Sequence, residues 1–264
     1  MAKKWGDQEK YPLHDTTNLP RVMQYVATMP YGGDATSLKE AFALREFAKV
    51  NLPNFGAPDQ IHSVLASCNL PLYVTTNYDD FMYQALRYKR KDPRQDHGRW
   101  YAGGATDKIN GPFDDPKYDP SPDEPLVFHL HGHYSVPRSL VLTEDDYIDY
   151  LVRLAGETFQ RDARSRTGLL PNYVYSGLRS NPLLFIGYSL RDWTFLVLFR
   201  TLLYGIPESE RRKHISVQID PRERRQAAGR TYLEEYLRTQ SIQIFWESAP
   251  AFAEQLGSRL EAAA

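Results

Sequence analysis

Five short apolar runs, each leading into a helical pattern, constrain this chain more than any other feature. They are PLYVTT (71–76), LVFHLHG (126–132), PLLFIGYS (182–189), HISVQID (214–220) and SIQIFW (241–246). Strands that are apolar on both faces and alternate with helices belong to a parallel sheet covered on both sides. The expected fold class is therefore α/β, a doubly wound parallel sheet. In such sheets ligands bind beyond the carboxyl ends of the strands. The segments to inspect are the strand exits, Thr75 to Asp80, His129 to His133, Gly187 to Asp192 and Gln218 to Pro221.

Helices account for most of the rest. Leu19, Val22, Met23, Val26 and Met29 recur at helical spacing, and Leu38, Ala41 and Phe42, then Ile61, Val64 and Leu65, repeat the pattern, so helices are expected over 15–68. A further helical part is expected over about 144–179, with a break near Gly168 and Pro171, and helices over WTFLVLFRTLLY (193–204), around Tyr232, Leu233, Tyr236 and Leu237, and through Phe252, Leu256 and Leu260. The segment 89–125 holds six of the chain's 18 prolines and the Gly103-Gly104 pair, and reads as a long loop, either a lid or a tolerated insertion. The whole of 1–264 reads as a single domain.

Composition narrows the function. Thirty-two Lys and Arg against 33 Asp and Glu give a formal charge of −1, too balanced for a chain whose main task is to coat nucleic acid or an anionic membrane. The small basic cluster Lys89, Arg90, Lys91 and Arg94 reads as a solvated loop, with DNA cleavage a minor alternative. Cys68 is the single cysteine, which rules out an internal disulfide and a cysteine-rich zinc site and suits the cytoplasm. The start MAKKWGDQEKYPLHD has no apolar signal region, and the run from Trp193 to Phe199 stops at Arg200, short of a membrane span.

Each exit has two readings. TTNYDD sets two hydroxyls, an amide and two carboxylates directly after an apolar strand, which serves either helix capping or a ligand. HLHGH carries three of the seven histidines. Strand alternation lets His129, His131 and His133 share a face, a pattern open to zinc, although Gly132 ends the strand and turns His133 away. The other reading is a single histidine acting as acid or base near neutral pH. IGYSLRD reads as a strand, a glycine turn and a helix start at Asp192, either a cap or a seat for phosphate or ribose.

Taken in order, TTNYDDFMYQAL (75–86), FHLHGHYSVPRSLVLTEDDY (128–147) and LLFIGYSLRDWTF (183–195) resemble the sirtuin-like, silent-information-regulator-type NAD hydrolases of bacterial antiphage defence. The resemblance implies a Rossmann-like sheet that binds NAD as substrate across its strand ends. It implies that Asn77 and His131 carry the hydrolysis, that Thr76 and Asp79 line the same pocket, and that Gly187, Tyr188, Ser189 and Asp192 hold the adenosine side. The products would be nicotinamide and ADP-ribose, and no metal is expected. Relatives are commonly oligomers restrained by a sensor or ATPase, so a homo-oligomer and a separate sensor or ATPase partner are expected, with no membrane and no direct nucleic-acid contact.

The chain departs from that family in two ways. Protein-deacylating sirtuins carry a four-cysteine zinc module, which Cys68 alone cannot supply, so deacylation is disfavoured. Family members also open with an apolar strand and a glycine-rich turn under the pyrophosphate, and residues 1–60 contain nothing of that kind; Gly32-Gly33 follows no strand. Residues 1–27 resemble what comes after that turn, so the expectation is a chain lacking its parent's first strand and helix, a sheet short of a central strand with two exposed edges, and a weakened phosphate cradle. A non-catalytic nucleotide-binding or assembly subunit is the alternative function, and a zinc hydrolase built on His129 and His131 a third.

Overall fold

The computed structural model describes residues 1–101, 112, 115, 117–160, 169–188, 196–197, 199–201, 206, 212–219 and 227–263. The chain opens with four helices, α1 (Ala2–Gln8), α2 (Leu19–Thr28), α3 (Ala35–Phe47) and α4 (Ile61–Ala66). Asn18 caps α2 by accepting from the Arg21 N–H, with Pro20 in the first turn, and Asp34 caps α3 through the Ser37 N–H. Val22, Met23 and Val26 are fully buried as their spacing predicts, together with Trp5, Leu38 and Phe42. Met29 lies past the end of α2 and is exposed instead. Helix α1 begins earlier than the periodicity suggests, because KKWGDQ offers only one large apolar residue, Trp5, whose indole N–H donates to Glu46 beneath the Arg45 guanidinium.

The first sheet follows: β1 (Leu72–Thr75), α5 (Phe81–Tyr88), β2 (Arg94–His97) and β3 (Leu126–His129). All pairings are parallel in the order β1-β3-β2. Strand β3 lies in the middle and is buried on both faces. Leu126 and Phe128 pack into a core completed by α6 (Glu144–Gln160) and α7 (Asn172–Ser180), with Tyr150, Leu154, Val174 and Leu178. Val127 faces the other way, onto Tyr73, Met82, Ala85 and Leu86 of β1 and α5. Two-sided covering is the reason LVFH carries no alternation.

The segment 89–125 is not simply a loop, because β2 lies within it. RQDH has no aliphatic residue, and its burial is made tolerable by polar pairing. Gln95 meets the His129 ring, Asp96 accepts from the His97 N–H, and the Asp96 carboxylate lies 3.9 Å from Arg99. Trp100 then inserts into the core and donates to the Ser139 carbonyl. The basic cluster is also engaged: Lys91 donates to the Cys68 carbonyl and Arg94 pairs with Glu124.

A second sheet follows: β4 (Leu184–Ile186), β5 (His214–Gln218), α8 (Ala227–Arg238), β6 (Ile242–Trp246) and α9 (Ala249–Ala263). It too is parallel, in the order β4-β5-β6. Phe199, Leu237 and Ile242 form its core. The helix expected over 193–204 falls mostly outside the described residues. Among the described residues, β1 pairs only with β3 and β4 only with β5. Leu72, Val74 and Leu183 nevertheless pack on one common core. Residues 1–70 are wholly helix, turn and irregular chain, and the glycine-led turn at Gly32 and Gly33 joins two helices.

Candidate functional site

Strands β1 and β3 run in parallel register with Thr75 opposite His129, and the Leu130 N–H extends the ladder to the Thr75 carbonyl. Asn77 and His131 therefore each lie two residues beyond a matched pair, at neighbouring exits. After β1 the chain is pinned residue by residue. Thr75 Oγ1 accepts from the Asn77 N–H at 3.0 Å. Tyr78 turns inward, packs edge-on against Phe42 and donates through its hydroxyl to the Val141 carbonyl at 2.7 Å. Its own carbonyl accepts from the Tyr134 N–H. Asp79, one residue before the N-cap Asp80 of α5, accepts from the Phe81 N–H, and burial, assisted by the neighbouring Asp80, pushes its carboxyl above the usual range. Asp80 itself makes no side-chain capping bond. Asn77 is the exposed residue among these anchored ones, its side chain turned to solvent.

Beyond β3 the chain folds back tightly. The His131 carbonyl accepts from the Val141 N–H at 2.9 Å, closing a loop that contains a short 3₁₀ turn at Pro137–Ser139. Gly132 has φ +88 and lies under Ser139, where an added Cβ would come within 2.1 Å of the Ser139 carbonyl oxygen. Ser139 Oγ accepts from the His133 N–H and donates to the Val136 carbonyl. His131 is 7% exposed, its ring edge-on to Tyr147 and Tyr150 with centroids 5.2 Å away in each case.

The three histidines do not share a face. His129 and His133 pack edge-on at 4.7 Å, while His131 is enclosed by the two α6 tyrosines. The sharp turn at Gly132 breaks strand alternation after β3, which ends at His129. Among the described residues no three metal-binding side chains converge, so the zinc reading finds no ligand set there.

Burial gives these rings a pH signature. It lowers His129 from 6.5 to about 4, with the His97 charge adding to the effect and the bond to the Asn77 carbonyl opposing it. His214 falls to about 4 by burial alone, and His133 falls further, the His129 and His97 charges reinforcing burial. The unfolded chain takes up these protons near pH 6.5 while the folded chain resists until about pH 4. Stability is therefore complete above about pH 6.5 and is lost as pH falls towards 4, by about 3 kcal/mol for fully buried His129 alone. The urea midpoint should fall clearly between pH 7.5 and pH 5; an unchanged midpoint would contradict these buried neutral rings.

The third exit approaches the first. Gly187 has φ +77, a backbone conformation that favours glycine, and directs the chain to Tyr188. The Thr76 side chain lies near enough to influence the Tyr188 hydroxyl, whose pKa is raised chiefly by burial, and the Tyr188 carbonyl accepts from Gln218 at 2.8 Å. The latter bond links the exits of β4 and β5. Ser189 and Asp192 lie outside the described residues. The expected residues Thr76, Asn77 and Asp79 thus lie on the β1 exit and His131 on the neighbouring β3 exit, with Asn77 exposed and His131 enclosed by the α6 tyrosines. Sequence reasoning missed Gln95, which lies in a strand without apolar signal, and Ser139, whose only pointer is a glycine seven residues earlier.

Residues 71–244 match the family model described as SIR2-like domain. The chain is also 28% identical over 134 residues to the NAD(+) hydrolase ThsA of Enterococcus faecium, a match covering 48% of this chain and 25% of that protein. The matched part is thus about a quarter of the relative's own length.

Proposed function

The chain belongs to the SIR2-like domain family, and on that premise we propose that it hydrolyses NAD to nicotinamide and ADP-ribose. The observation that supports this reading is that Asn77 and His131 each lie two residues beyond the paired Thr75 and His129 of two neighbouring parallel strands. The similarity to a named NAD(+) hydrolase supports the substrate class. Nicotinamide in NAD is a cationic leaving group, so breaking its bond to ribose requires stabilisation of developing oxocarbenium charge in a water-poor pocket rather than a strong acid. Asn77 supplies an uncharged amide to orient the ribose or the attacking water. His131 takes a proton from the ribose hydroxyl or the water, a contribution of about 100-fold or more for a general base. Thr76 and Asp79 border the ribose, while Gly187, Tyr188, Ser189 and Asp192 hold the adenosine side.

In this reading the protein depletes NAD as an effector of antiphage defence in the cytoplasm, as a homo-oligomer that a separate sensor or ATPase partner restrains, so that the purified chain without that partner is active. Among the described residues no helix is long and apolar enough to cross a membrane. A second reading is a non-catalytic nucleotide-binding or assembly subunit. Nicotinamide release from NAD separates the two. Asn77→Ala and His131→Ala are each expected to lower it at least about 100-fold with the fold retained.

A further inference from the structure

His129 has a role in neither reading so far, yet it touches the backbone of the very residue assigned to the chemistry. Its ring is wholly buried, with Nδ1 3.0 Å from the Asn77 carbonyl oxygen and Nε2 2.9 Å from the Gln95 amide nitrogen. A carbonyl oxygen can only accept, so Nδ1 carries the hydrogen. The Nε2 lone pair then faces the Gln95 amide, which donates to it. Both partners therefore select the same neutral tautomer.

We propose that His129 is a positioning residue, held by Gln95, that fixes the backbone of Asn77 and thereby aims the Asn77 side chain at the ribose. The proposal rests on the reading of Asn77 as a residue of NAD hydrolysis. The chain of contacts crosses all three strands of the first sheet, from β2 through β3 to the exit of β1. Asn77 needs such support, because its own side chain is exposed and its N–H is held only by the hydroxyl of Thr75. A buried strand residue gives a firmer anchor than anything in the loop itself. The low basicity of His129 keeps the arrangement intact across the physiological range. It also accounts for the burial of polar Gln95 in a strand otherwise hard to recognise.

The test is a three-variant series in the full chain, read by steady-state nicotinamide release and by hydrogen–deuterium exchange over 75–81. His129→Asn keeps a donor close to the Nδ1 position, His129→Gln moves it to the Nε2 position, and His129→Leu removes it at similar size. His129→Leu and His129→Gln should lower kcat at least about tenfold with less than a threefold change in KM, and speed exchange over 75–81. His129→Asn should restore kcat to within about threefold of the parent and return exchange to the parent rate. Equal activity and equal exchange in all three variants would overturn the proposal, as would rescue by Gln in place of Asn. If the parent releases no nicotinamide while exchange still follows the Asn against Leu and Gln order, the anchor stands and the hydrolase reading fails. If the parent is active and His131→Ala is not, but exchange and kcat ignore His129, the hydrolase reading stands and the anchor fails.

Discussion

Gly132→Ala is expected to cost more than about 3 kcal/mol in urea unfolding and to remove nicotinamide release with it. Two penalties add at this position. The residue has φ +88, where a side chain is strained, and the new Cβ would meet the Ser139 carbonyl oxygen at 2.1 Å and its carbon at 2.3 Å. Those are backbone atoms that cannot rotate away. Ser139 is itself tied to Trp100 through its carbonyl, and to His133 and Val136 through Oγ, so the loop cannot yield locally without breaking several buried bonds. Any shift also strains the bond between the His131 carbonyl and the Val141 N–H, which sets His131 against Tyr147 and Tyr150. Gly156, in the exposed middle of α6, is the natural control. Nothing lies within 4 Å of its added Cβ, and Gly156→Ala should be neutral or stabilising by up to about 1 kcal/mol. Equal stability of Gly132→Ala and the parent would refute the close approach.

Asp146→Ala should be nearly as costly, about 3–5 kcal/mol, for an electrostatic reason. Asp146 and Lys39 form an ion pair at 2.7 Å, with side chains only 9% and 7% exposed, and the Lys39 ammonium also lies over the Trp100 ring at 4.8 Å. The second carboxylate oxygen accepts from the Leu142 and Thr143 N–H groups, while Thr143 Oγ1 accepts from the Asp146 N–H. This is a reciprocal cap on the start of α6, joined to α3 by a buried charge. Removing the carboxylate strands an ammonium and uncaps the helix together. Adding Lys39→Met removes the stranded charge, so the double variant should recover a substantial part of the loss. Equal stability of the single and double variants would show that the pair is not coupled.

The larger elements were legible because their apolar residues repeat at the period of the structure they form. Val22, Met23 and Val26 declare one buried helical face, and LVFH declares a strand covered twice. Strand β2 was illegible for the opposite reason. Its burial is supported by polar pairing with His129 and within its own backbone, and those partners are recognisable only once strands 34 residues apart are side by side. The candidate site shows the same division. Asn77 and His131 follow recognisable strands, so their place at neighbouring strand exits could be anticipated. Strand alternation failed for the histidines, since it ceases at His129 and Gly132 then turns the chain. Helix α1 escaped notice because a single tryptophan supports it, through contacts with α2 and α3 that no local pattern reveals. The capping sequence Thr143-Glu-Asp-Asp146 was readable in principle, but its burial and its pairing with Lys39 were not.

We propose that the exits of β1 and β3 form a site for cleaving the nicotinamide bond of NAD. The most direct test of this proposal is nicotinamide release from NAD by the purified protein beside folded Asn77→Ala and His131→Ala variants. Release by the parent and at least about 100-fold less by each variant is the expected result. Release that is unchanged in both variants would contradict it.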